Sequence, residues 1–193
     1  MRKEFPVIQA FTLIELMIVI AIIAIIAAIA IPNLLESRIT SNESAAASSL
    51  KAGVFPAQVQ FQAGGFLDTG GNTATPDGIG DFATRYSQMS GATITPTGGS
   101  ALNLSFLPTT WNLVSPTIGN YTFTVNSNYQ FSFAAACYPA DVADKIGRRR
   151  FAINAAGTVY ATAPNVSNPI VDPTTPFGGQ FTSPNSAWSV YKR

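Results

Sequence analysis

The sequence has few of the residues from which catalytic and metal sites are usually built. It contains no histidine and a single cysteine, and only 11% of its 193 residues are charged, against about a quarter in ordinary globular chains. Without imidazole, the commonest general base and metal ligand is missing. The sequence also lacks a Ser/His/Asp set, a Cys/His pair, a phosphate-binding loop and zinc-ligand spacing. We therefore predict that the chain is not an enzyme and that it holds no cofactor.

The net charge bears on the class of partner, and the cysteine content bears on the redox compartment. The formal net charge is +1, and a nearly neutral surface does not favour nucleic acid or an acidic partner. The lone Cys137 cannot close a disulfide within the chain, so it carries no information about redox compartment. We predict no nucleic-acid partner.

A long apolar segment, residues 11–31, is the main feature that the sequence does have. From Leu16 onward it contains no polar side chain. As a helix the segment is about 32 Å long at ~1.5 Å per residue, which matches a hydrocarbon core of ~30 Å. Arg2 and Lys3 precede it and the next basic residue is Arg38, so the positive-inside rule predicts a cytoplasmic N-terminus.

One carboxylate, Glu15, lies just inside the front edge of this segment. A charge deep in a bilayer costs roughly 3 kcal/mol on insertion scales and usually has a functional partner. Two other interpretations of the segment are open. It could be a secretory signal peptide cut after Ala30, because Ala28-Ile29-Ala30 resembles a cleavage site, or an ordinary single-span anchor. Neither interpretation gives Glu15 a partner.

The residues FTLIEL at 11–16, with the Ile/Ala-rich run and Pro32 after them, resemble the class III signal of type IV pilins and of the pseudopilins of type II secretion. In that family a prepilin peptidase cuts before the phenylalanine, on the cytoplasmic side, and methylates the new amine. The resemblance implies a leader over residues 1–10 and a scissile bond between Ala10 and Phe11. The family usually has glycine where this chain has Ala10.

The resemblance also implies a function for the glutamate. In these filaments the carboxylate is thought to meet the N-terminal amine of a neighbouring subunit, and such a pair offsets the desolvation of both charges. Three alanines at i, i+3 and i+7 add a small-residue stripe that permits close helix packing. The implied assembly residues are Phe11, Thr12, Glu15, Ala21, Ala24, Ala28 and Pro32.

Beyond the apolar helix of residues 11–32, an amphipathic continuation is predicted for residues 33–63. Apolar side chains recur there at helical spacing, and Gln58 falls on the opposite, solvent-facing side. Pro56 predicts a kink, and Gly64-Gly65 predicts the end of the helix. The apolar stripe consists of Leu35, Ile39, Ala46, Leu50, Val54, Ala57 and Phe61.

Residues 119–163 alternate between apolar and polar side chains and predict three to four antiparallel strands. The first hairpin is predicted to turn at 126–128, with Tyr129 and Phe131 at the start of its second strand. Cys137 then falls on the apolar face of that strand, which predicts a core thiol.

Two segments without clear periodicity flank the predicted sheet. Residues 64–118 are expected to form the α–β loop region, with a possible short helix near 82–89. Residues 164–193 are expected to form a Pro-rich tail. The predicted fold is therefore α+β and pilin-like, with a long N-terminal helix packed on a small antiparallel sheet.

Within the loop region, Asp77 and Asp81 flank a glycine-containing turn. They are weak candidates for a calcium site, because the spacing lacks the EF-hand pattern. A plain acidic turn is the simpler interpretation.

The leading hypothesis is a structural subunit of a type IV pilus or pilus-like filament. It would be made as a single-pass inner-membrane precursor, cleaved before Phe11, methylated, and assembled into a helical homopolymer in the periplasm or outside the cell. Its expected partners are further copies of itself, the inner membrane, a prepilin peptidase and the pilus or secretion machinery. The alternatives are a type II secretion pseudopilin, a membrane-anchored extracytoplasmic binding domain that stays monomeric, and a module secreted by cleavage after Ala30.

Overall fold

The computed structural model of the chain describes residues 11–70, 75–141, 146–164 and 188–192. The predicted leader, with Ala10, and most of the predicted Pro-rich tail lie outside these residues. The chain forms two compact units, which we call unit 1 (Met1–Arg38) and unit 2 (Ile39–Arg193).

The predicted long helix is confirmed, with a change of winding inside it. Helix α1 spans Leu13–Ser48, a π-helical turn spans Ser49–Val54, and helix α2 spans Phe55–Ala63. In the wide turn the Phe55 N–H donates to the Leu50 carbonyl, five residues earlier. Pro56 follows directly, and a proline ring clashes with the carbonyl four residues before it in a regular α-helix. The predicted kink at Pro56 thus takes the form of a π turn that makes room for the ring.

In unit 1 the helix exposes its apolar side chains. Every large hydrophobic residue from Leu13 to Ile31 is exposed, and Pro32 lies inside α1 without ending it. The helix is long enough and apolar enough to cross a membrane, judged by length and composition. A helix that is apolar all round needs lipid or other protein around it.

Unit 2 contains more strands than predicted. The strands are β1 Ser90–Ile94, β2 Leu102–Ser105, β3 Thr117–Ile118, β4 Tyr121–Asn128, β5 Ser132–Pro139, β6 Phe151–Asn154, β7 Val159–Thr162 and β8 Trp188–Val190. The antiparallel sheet is confirmed, but within the described residues it has six strands in the order β3-β4-β5-β6-β7-β8, and β1 pairs with β2 in a separate two-stranded sheet. The edge strands β3 and β8 have two and three residues, too few to show an alternating pattern in the sequence.

The predicted turn of the central hairpin was wrong by three residues. Residues 126–128 belong to β4, and the chain turns over 129–131 instead. Tyr129 adopts a left-handed backbone with φ of 48°, which is uncommon for a bulky residue. Because Phe131 lies in the turn and not in a strand, its side chain is exposed.

The helix stripe and one face of the six-stranded sheet form the core. All the predicted stripe residues are buried except Leu35, which belongs to unit 1 and is 43% exposed. The buried stripe residues share one hydrophobic cluster with Phe123, Phe133, Cys137, Phe151 and Ile153, apart from Ile39. Cys137 is confirmed as a buried free thiol, and burial raises the pKa of that thiol, which suppresses its reactivity.

The predicted loop region also supplies core side chains. Short 3₁₀ helices span Tyr86–Met89 and Thr109–Trp111. The Tyr86 ring lies 5.2 Å from that of Trp111, which in turn lies 4.8 Å from the Phe123 ring of the sheet. The Tyr86 hydroxyl donates to the Thr124 carbonyl at 2.9 Å. Much of residues 64–118 is therefore packed against the sheet.

Gln58 lies on the buried side of α2, where the sequence pattern had placed it in solvent. It is 0% exposed. Its Nε2 donates to the Ala83 carbonyl at 3.0 Å, and its Oε1 accepts the Ala83 N–H at 2.9 Å. The amide side chain thereby satisfies both polar groups of a buried loop residue, as a neighbouring strand would.

We predict that Gln58→Leu lowers the free energy of unfolding by about 2 kcal/mol or more, because it leaves both backbone groups of Ala83 buried and unpaired. Urea unfolding of the detergent-solubilised chain measures the change. Gln60→Leu, at an exposed position on the same helix, should change the stability by less than about 0.5 kcal/mol. Equal effects of the two variants would contradict this role for Gln58.

Candidate functional site

The start of α1 is a capping box built from two of the predicted assembly residues. Thr12 is the N-cap, and its N–H and hydroxyl both donate to Glu15 Oε2, at 2.9 and 2.8 Å. The Glu15 N–H donates back to Thr12 Oγ1 at 3.2 Å. This reciprocal pairing satisfies backbone groups that a helix start otherwise leaves open.

The capping box leaves half of the carboxylate available. Both bonds from Thr12 end on Oε2, and no residue in the described part of the chain hydrogen-bonds Oε1. The carboxylate is exposed along with the rest of this helix start. The site can therefore accept one further donor without breaking the cap.

The other predicted assembly residues lie on the same exposed helix. Phe11 is 89% exposed. Ala21, Ala24 and Ala28 are exposed, and their spacing in α1 places them on one side of it. The structure thus brings Thr12 and Glu15 into contact and leaves the alanine stripe unpartnered within the described residues of unit 1. The roles of all these residues in assembly stay predictions.

The acidic turn is held by hydrogen bonds from N–H groups. Asp68, which the sequence analysis had not singled out, accepts the N–H groups of Gly70, Asp77 and Gly78 at 2.8 to 3.1 Å. The bond from the Asp77 N–H is the main reason that the pKa of the Asp68 carboxyl is lowered. The Asp68 carboxylate thereby pairs with three backbone N–H groups, and bonding to nearby backbone is the usual function of Asp in turns.

The two calcium candidates have different surroundings. Asp77 is exposed and accepts the Ile79 N–H and the Gln130 side chain. Asp81 is 3% exposed, and its Oδ2 accepts two bonds from Thr69. Across the described ranges no group of three or more His, Cys, Asp or Glu residues could hold a metal ion. Calcium binding at Asp77 and Asp81 stays a prediction.

The comparison with known families concerns the same stretch as the capping box. The chain carries the prokaryotic N-terminal methylation motif. The family model for this motif matches residues 8–31. The motif is the prepilin-type signature of type IV pilins and pseudopilins. No curated protein matches the chain.

Together, the motif and the apolar helix support a type IV pilin-like or pseudopilin subunit made as a membrane-anchored precursor. The motif is that of structural subunits, which are generally not enzymes, and it implies processing by a prepilin peptidase and handling by membrane assembly machinery.

One interaction in this site, the hydrogen bonding between Thr12 and Glu15, was not predicted from the sequence. Thr12 was included among the assembly residues, but its hydrogen bonds to Glu15 were not predicted. The signal was present, because Thr-x-x-Glu before an apolar run is the sequence pattern of a capping box.

We predict that Thr12→Val weakens the first turn of α1 by about 1 kcal/mol, because valine neither caps the Glu15 N–H nor donates to its carboxylate. Amide hydrogen exchange in detergent micelles should show the protection of the Glu15 N–H falling about fivefold. Thr12→Ser keeps the hydroxyl and should retain the protection. Unchanged exchange in the valine variant would show that the cap does not hold this turn.

Proposed function

We propose that the chain is a structural subunit of a type IV pilus or pilus-like filament. Cleavage between Ala10 and Phe11 would free the α-amine of Phe11, and the prepilin peptidase would then methylate it. Glu15 of one copy would pair with the resulting ammonium of a neighbouring copy. The observation that carries the proposal is a carboxylate with one open oxygen at the start of an exposed apolar helix that bears the methylation motif.

Desolvation of Glu15 is the physical basis for this pairing. Bringing many copies of the apolar helix together removes water and lipid from around Glu15, and an uncompensated charge in such surroundings is costly. The cap from Thr12 satisfies only Oε2. An ammonium at Oε1 supplies the missing charge, and since it exists only after cleavage, processing and assembly become linked.

Two other features fit a helical homopolymer. The exposed stripe of Ala21, Ala24 and Ala28 permits helices to approach closely. The large apolar side chains of unit 1 are exposed throughout the described residues, so their burial between copies would supply the driving force for association once the subunits leave the membrane.

Intact mass spectrometry of the membrane-bound protein tests the processing step. We expect the loss of residues 1–10 and one added methyl group on Phe11. A chain that starts at Met1 would support a plain membrane anchor, and one that starts at Ile31 would support a secreted module. Either of these results would contradict the proposal.

We predict that Glu15→Leu leaves the amount of membrane-inserted protein unchanged and abolishes or strongly reduces fibres, because the ammonium on Phe11 then meets no carboxylate. Electron microscopy and the yield of sheared fibres measure the effect. Glu36→Leu removes an exposed carboxylate further along the same helix and is expected to leave the yield near the unchanged level. Normal fibres from Glu15→Leu would refute the pairing.

A further inference from the structure

Phe131 lies in the turn at the tip of the β4–β5 hairpin, outside the strands and the core, and its aromatic ring is exposed. Phe131 is 66% exposed and Ile79, from the acidic turn, is 53% exposed. The turn is joined to the hairpin by a 2.9 Å hydrogen bond from Gln130 Nε2 to Asp77 Oδ2. We call this surface, formed by Phe131, Ile79 and Asp77, the hairpin tip. It combines two large apolar side chains with one carboxylate.

Three hydrogen bonds hold the backbone of residues 129–131, the turn that carries Phe131. The Tyr129 carbonyl accepts the Phe82 N–H at 3.0 Å, and the Phe131 N–H donates to the Asn128 carbonyl at 3.0 Å. The Gln62 side chain donates to the Gln130 carbonyl at 2.9 Å. The turn is thus tied to the end of α2 and to the loop at Phe82, so that little ordering would be needed when Phe131 meets a partner.

A second surface of unit 2 is concave. A groove of about 520 Å³ runs beside the helix and is closed on its other side by the β6–β7 turn and β8. We call it the side groove. Its lining includes Ala52, Val159 and the 51% exposed Val190, which are apolar, and Lys51. The Lys51 ammonium donates to the Gly157 carbonyl and lies 5.8 Å from the centre of the Phe55 ring.

The two surfaces differ in shape and carry opposite charges. One is a fixed aromatic projection beside a carboxylate, and the other is a partly apolar groove beside an ammonium. A phenylalanine is the kind of anchor that fills a pocket at the centre of an interface. An Asp77 to Lys51 attraction across the contact would favour one orientation. We infer that the hairpin tip of one copy packs into the side groove of the next copy.

This contact has the symmetry that a filament needs. The hairpin tip is bonded to Gln62, near the end of α2, whereas the side groove lies along Ser44 to Ala52. Because two different surfaces meet, the contact is heterologous and can repeat indefinitely, in contrast to a two-fold contact that closes after two copies. The inference rests on the proposed filament function and adds to it a specific contact between the unit 2 domains.

Cysteine cross-linking in isolated fibres tests the contact. In a chain with both Phe131→Cys and Ala52→Cys, mild oxidation or a short bifunctional thiol reagent should give a ladder of covalent multimers. Each variant with only one of these substitutions should give none, because its other cysteine, Cys137, is buried. Leu113→Cys with Ala52→Cys is the matched control, since Leu113 is 60% exposed but lies outside both surfaces, and it should give no ladder. A ladder from the control alone, or no ladder from intact Phe131/Ala52 fibres, would overturn the inference.

Fibre yield gives an independent readout. Phe131→Ala should reduce the yield about tenfold, the loss typical of an interface anchor, while the membrane-bound pool stays normal. Leu113→Ala should leave the yield unchanged. Normal yield from Phe131→Ala would overturn the contact while leaving the filament proposal intact. If the unchanged chain itself forms no fibres, the proposed function fails and this inference fails with it.

Discussion

The packing of one helical stripe against one face of a sheet is the constraint on which unit 2 depends. Leu50, Val54 and Phe61 are fully buried in the cluster that also contains Phe133 and Phe151. A sheet with one apolar face is not stable unless something covers that face. Here the cover is the continuation of the same helix that carries the methylation motif, so the helix that completes the core of unit 2 follows directly on the motif in the chain.

The sequence predicted those features that rest on a repeating pattern of side chains. The helix, the buried stripe from Ile39 to Phe61 and the alternation in β4 and β5 all repeat often enough to be recognised. Strands of two or three residues, such as β3 and β8, are too short to repeat. Gln58 was misplaced because polarity normally marks the solvent side, whereas a long amide can bond the backbone of a distant loop.

The candidate site was predictable from the sequence in its identity but not in its geometry. Glu15 was conspicuous because it interrupts an apolar run, and FTLIEL matched a known pattern. The sequence did not reveal that Thr12 bonds only Oε2 of the Glu15 carboxylate and leaves Oε1 open, because this depends on the rotamers of Thr12 and Glu15. A hydroxyl that bonds one oxygen keeps the side chain in a fixed position, so a partner meets a preorganised acceptor.

The order of strands in the sheet has a consequence for how the protein is made. From β4 to β7 each strand pairs with the one that precedes it in the chain, so these ladders join strands that are close in sequence. Contacts between nearby residues form quickly. In a chain that folds from its N-terminal end, each of these strands finds its neighbour already present. Unit 2 can therefore acquire its sheet progressively along the chain, and only β8 joins it from a distant segment.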